Sequence, residues 1–161
     1  MNYATQADMV SRFGELEILQ LTDRDRLGVI DSTVLAQALA DATAYADGFL
    51  GRVYQLPLRG CAQPAVDGVV TYLPPPVLTR VVCDLARYYL FTNADKDHEA
   101  VRRYKAATTE LVGIASGETQ LSCPFGGTPG EALHADAMQE QGVEFCFAPR
   151  QISGDNLRGF A

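Results

Sequence analysis

The stretch VLTRVVCDLARYYLFT, residues 77–92, places apolar side chains at Leu78, Val81, Val82, Leu85, Ala86, Tyr88 and Tyr89. On a 3.6-residue period these cover most of the circumference, and a helix apolar nearly all round is stable only when other elements surround it. The chain is therefore expected to fold around 77–92 as its central helix. Pro74, Pro75 and Pro76 lead into it, because proline is accepted in a first helical turn. Its one polar stripe is Arg80, Asp84 and Arg87, spaced i, i+4 and i+7, so that one carboxylate can bridge two guanidinium groups. No nucleophile or histidine lies near the stripe in sequence, which favours structural ion pairing over chemistry.

Two longer patterns supply the surrounding helices. After a cap at Asp31, apolar residues recur at Val34, Leu35, Ala38, Leu39, Ala42, Tyr45, Ala46, Phe49, Leu50 and Val53, an amphipathic helix over 33–53. Its other side carries Ala36, Ala40, Ala44 and Gly48, either a smooth stripe for a second helix to approach or simply good helix formers. A further helix spans roughly 96–116, capped by Asn93 or Asp95, with Val101, Tyr104, Leu111, Val112 and Ala115 inward and Gly117 as its stop. Thr5 and Asp8 form a capping-box start and Gly14 a stop, predicting a short helix over 6–13. ELEILQL, which follows, is too short to assign. The fold class is mainly α: a compact four-helix core with short strand elements, one of them an edge strand in VVTYL within the 59–73 loop, and an extended C-terminal arm.

The arm is a matter of composition. Residues 118–161 hold six of the 14 glycines and three of the eight prolines, with six acids against two arginines. The expected organisation is a helical core over 1–117 and an arm over 118–161. In the arm VEFCFAP alternates as a strand does, and NLRGF closes the chain with apolar groups, so Phe145, Phe147, Leu157, Arg158 and Phe160 are the candidate contacts to a partner or neighbouring subunit. The net charge of −7 suggests no basic footprint for gripping nucleic acid, while an acidic protein can still work beside DNA by repelling it. No apolar run approaches the ~20 residues of a membrane span, and the N-terminus lacks signal-peptide character. A soluble cytosolic product with no membrane partner is expected. Cys61, Cys83, Cys123 and Cys146 are widely spaced without a CxxC pair, and His98 and His134 are the only histidines, so four unpaired thiols are expected rather than a zinc site.

TDRDRLGVID, residues 22–31, sets Asp23, Asp25, Gly28 and Asp31 at positions suggestive of a calcium loop. The fifth and twelfth positions are Leu27 and Val34, which leaves too few oxygens for a cation that takes six to eight. A turn entering the next helix uses the same residues better; a calcium-switched regulatory domain built on 23–31 is the alternative. A small hydrolase or transferase using Asp84, Tyr88 and His98 lacks any accompanying phosphate loop, GxSxG or HExxH, so no cofactor or catalytic residue is assigned.

The ordered set YATQADMVSRFGELEILQLTDRD, GVID, YQLPL, RVVCDLARYYLF, VRRYKAATTELVGIASG and DNLRGF resembles the phage Mu-like family of small virion proteins over nearly the whole chain. The resemblance implies a head-tail connector, an adaptor or head-completion protein without enzymatic activity. It implies a homo-oligomeric, dodecameric ring in the virion neck, reached from the host cytoplasm during assembly. Its partners would be the portal protein, a tail-side neck or tail-terminator protein, and DNA passing through the channel without specific binding. The loop RGCAQPAVDGVVTYLPPP is longer than the family pattern. Ring contacts are heterologous and need two unlike complementary patches per subunit, which the 33–53 and 96–116 helices and the arm could supply.

Overall fold

The computed structural model describes residues 2–92 and 95–133. Its elements run α1 (Gln6–Phe13), α2 (Glu15–Thr22), α3 (Ser32–Leu50), β1 (Cys61–Ala62), β2 (Tyr72–Leu73), α4 (Pro76–Leu90) and α5 (Glu99–Ala115). The protein is mainly helical, with one small antiparallel pair pairing Cys61 with Leu73 and Ala62 with Tyr72. Helix α4 is the centre: it packs against both α3 and α5, which also touch each other, and α1 lies across α3 and α4. Leu78, Val81, Val82, Leu85 and Ala86 are wholly buried, as expected of a helix apolar around its girth.

The local signals explain the helix ends. Thr5 accepts the Asp8 backbone N–H, and the Asp8 side chain accepts from the Thr5 backbone, so α1 opens with a reciprocal capping box. Gly14, at φ 87°, breaks it from α2. ELEILQL is thus a fifth helix, giving five among the described residues where four were expected. Ile18 and Thr22 plug it into the core, a tertiary contact that eight residues do not announce by themselves. Asp31 caps α3 through the N–H groups of Thr33 and Val34. That helix stops at Leu50 rather than 53, after which Tyr54 turns inward. Helix α5 starts at Glu99 rather than 96, because His98 is its cap: Nδ1 accepts the Ala100 N–H at 3.1 Å. The stripe Ala36, Ala40, Ala44 and Gly48 faces solvent in this chain.

The chain turns back after α5. Of residues 118–133, assigned to the arm by composition, 129–133 lie against 53–60 in an antiparallel run of backbone bonds: Gly60 N–H to Pro129, Gln55 N–H to Glu131, and Leu133 N–H to Val53, at 2.9, 2.9 and 2.8 Å. Leu121 is buried beneath them. Cys61 and Cys123 are joined as a disulfide across 62 residues of sequence. The expectation of four unpaired thiols is therefore corrected: Cys83 alone is free and buried among the described residues, and Cys146 lies outside them. The pairing comes from the return of 118–133 to the core, which no local spacing encodes.

Candidate interaction surfaces

The polar stripe of α4 is divided between two neighbours. Asp84 is buried at the α4–α5 contact, with carboxylate oxygens 3.6 Å from Arg80 on its own helix and 3.6 Å from Arg103 on α5. Arg80 also pairs with Glu110, and Arg103 Nε donates to Glu99 at 2.7 Å. That hydrogen bond holds the Glu99 carboxyl below its usual range and raises Arg103 in turn. Arg87 pairs elsewhere: Nε donates to Glu17 of α2 at 2.7 Å, and its guanidinium lies 4.7 Å from the Phe13 ring centroid. The carboxylate expected to bridge Arg80 and Arg87 therefore bridges Arg80 and Arg103, because α2 carries a closer acid to Arg87. These pairs clamp α2, α4 and α5 together.

Side chains considered for chemistry have structural employment. Tyr88 stacks on Tyr104 with centroids 4.2 Å apart, and His98 caps α5 with its ring 4.7 Å from Phe91. In the 22–31 loop the two Asp23 oxygens accept the N–H groups of Leu27 and Gly28, each at 2.7 Å. A cation there would have to displace those bonds. Among the described residues no three His, Cys, Asp or Glu side chains gather into a metal-binding group. The loop instead displays Leu27 and Val29 to solvent, and Val29 and Ile30 join Leu16 and Leu19 around an open cleft of about 570 Å³.

The second apolar display is a hairpin that the sequence left as an over-long loop. Residues 60–73 fold back on themselves through a turn at Asp67 and Gly68, both at positive φ, which the Asp-Gly pair supplies. The hairpin is fastened at its base: the disulfide joins Cys61 to Cys123, and Gly60 approaches Leu73 so closely that a Cβ there would lie 2.9 Å from the Leu73 carbonyl oxygen. Beyond the base it leaves the core, with Val66, Val69, Val70 and Leu73 between 47 and 72% exposed. Arg59 lays its guanidinium 4.7 Å from the Tyr72 ring centroid, and no carboxylate pairs with it among the described residues. The arm candidates Phe145, Phe147, Leu157, Arg158 and Phe160 lie outside the described residues.

Such an arrangement defines a small helical protein that carries apolar surface well outside its own core. The sequence matches the family model described as Bacteriophage Mu, Gp36 over residues 3–140. The chain belongs to that family of Mu-like phage structural proteins. It is 30% identical to "Gene product J" of Escherichia phage Mu over 120 residues, 74% of this chain and 75% of the relative. It is 29% identical over 119 residues to "Mu-like prophage FluMu protein gp36" of Haemophilus influenzae, covering 74% of each chain. No helix among the described residues is long and apolar enough to cross a membrane.

Proposed function

We propose that this protein is a virion connector: copies of it form a ring, dodecameric in the reading given above, between the portal and the tail. It extends the channel for the genome and offers the surface on which a tail-side neck or tail-terminator protein docks. The observation that carries this reading is the hairpin 60–73, rigidly fastened at its base yet displaying apolar side chains that its own core does not cover. Surface of this kind marks a site for another chain. The cleft where Leu16, Leu19, Val29 and Ile30 meet Gln6 and Glu15 is a second and unlike surface, part apolar and part polar. A heterologous ring contact requires two such different patches on each subunit. The net charge of −7 suits a channel through which DNA slides without adhering. The structural ion pairs of Arg80, Asp84 and Arg87 serve the core, and the arm contacts at Phe145, Phe147, Leu157, Arg158 and Phe160 serve assembly.

The test is assembly in a Mu-like phage lacking this protein. Filled or fillable heads and complete tails should accumulate unjoined, and adding the purified chain should restore joined particles. Electron microscopy of the neck should then show the chain as a closed ring. Normal particles in its absence, or a chain that stays monomeric against heads and tails alike, would remove the connector reading.

A further inference from the structure

Beyond its base the 60–73 hairpin is exposed to solvent, and at Tyr72 and Leu73 it borders an open cleft with Asn2, Tyr3, Thr5 and Arg12. The sheet consists of β1 and β2 alone among the described residues, so β2 and the extended residues 69–71 leading into it have no backbone partner on their outer side. Side chains alternate across a strand. Val70 and Tyr72, with Arg59 over the Tyr72 ring, therefore mark one face, and Val69 and Leu73 the other. An occupant that suits this edge is an extended segment with an acid on one face and large apolar groups on the other.

We propose that the outer edge of the hairpin receives residues 143–148 of a neighbouring copy, added as a third strand. In VEFCFA, Glu144 falls on one side of the alternation and Phe145 and Phe147 on the other. Glu144 then meets Arg59, and the two phenylalanines cover Val69 and Leu73. Main-chain bonds supply affinity in such strand addition, and side-chain alternation supplies register.

The course of 129–133 favours donation to a neighbouring copy. Residues 129–133 run antiparallel to 53–60, with Pro129 at Gly60 and Leu133 at Val53, so the chain travels away from its own hairpin as it leaves. From Leu133 to Phe145 an extended chain reaches at most about 40 Å. That is close to the diameter of a domain of this size, about 35–40 Å from the usual scaling of radius with length. The segment can cross to an adjacent subunit without reversing. This inference rests on the ring reading, and it gives the over-long 59–76 loop its use.

Full-length chain with a photoreactive benzoylphenylalanine in place of Val70 is mixed with heavy-isotope-labelled native chain, assembled and irradiated. Expected are crosslinks from position 70 to labelled peptides containing 143–148. Crosslinks to the unlabelled chain's own 143–148 alone would mean that the strand folds back, and would overturn the proposal. Oligomers that form with no link to 143–148 would also overturn it, while leaving the ring standing. Failure of any oligomer to form would instead remove the ring reading beneath it. In a second arm, Arg59→Glu should weaken subunit association about tenfold through repulsion of Glu144. Glu144→Arg in the same chain should recover it; the absence of recovery would dismiss this contact.

Discussion

The hydroxyl of Tyr54 accepts the backbone N–H of Leu121 at 3.0 Å, a bond between residues 67 apart in the chain, with both side chains buried. It holds the returning segment to the end of α3. Tyr54→Phe keeps the ring but leaves that N–H unsatisfied, so it should cost about 1–3 kcal/mol. Chemical denaturation measures it; a midpoint unchanged from the native chain would mean that water replaces the hydroxyl.

Leu85 is wholly buried at the middle of α4, between α3 and α5. Leu85→Ala removes its contacts and opens a cavity, at a cost of about 2–5 kcal/mol. A loss within the range of ordinary surface substitutions would contradict the placement of α4 at the centre.

The ion pairs should not contribute alike. The Arg87 side chain is 9% exposed and pairs with Glu17, whereas the Arg80 side chain is 39% exposed. Glu17→Ala strands a buried guanidinium and should cost about 2–3 kcal/mol, allowing for the partial exposure of the acid. Glu110→Ala, which leaves Arg80 with Asp84 and water, should cost about 1 kcal/mol or less. The reverse order in thermal melts would disprove this ranking.

Burial pushes the Cys83 thiol up from its ordinary value of 9.0 to about 12, the nearby Arg12 opposing the shift only in part. The folded state therefore holds this proton more tightly than the unfolded chain. The corresponding stability is fully present below pH 9 and is lost as pH rises from there toward 12. Cys83→Ala should flatten that alkaline decline relative to its own neutral-pH stability. In the native protein at pH 8, alkylation of Cys83 should require unfolding, and rapid labelling would place it near the surface.

Joining Cys61 to Cys123 closes a long loop in the unfolded chain. The chain-entropy account assigns such a crosslink about 4 kcal/mol, with 2–4 kcal/mol typical. A reductant should lower the urea midpoint of the native protein accordingly and leave a Cys61→Ser, Cys123→Ser double variant unmoved. Equal sensitivity of both would trace the effect to something other than this bond.

What was legible in the sequence is what local chemistry decides. Helix α4 could be read because its apolar residues leave almost no polar face, α1 because Thr5 and Asp8 cap each other, and the start of α3 because Asp31 is a good cap. Helix α2 could not: eight residues gain their helix by burying Ile18 and Thr22 in a core assembled from elsewhere. Glu17 becomes the partner of Arg87 only once α2 is in place. The cap at His98 is hidden in the sequence because Asn and Asp, present at 93 and 95, more often fill that position. Of the candidate surface, the Asp-Gly turn at 67–68 was the available signal for a hairpin. Its projection from the core, and the meeting of 53–60 with 128–133, follow from pairings across more than sixty residues, to which periodicity is blind.

That last pairing joins a segment made before α4 and α5 to one made after them. The ribosome delivers 53–60 early and 128–133 only after α4 and α5 have emerged, so a nascent chain can close its helices while its returning segment is still inside the exit tunnel. The disulfide at the hairpin base and the backbone bonds of 129–133 both wait for residues that follow α5. A chain that has released only its helices therefore lacks the backbone bonds from 129–133 to 53–60 and the Cys61–Cys123 link alike.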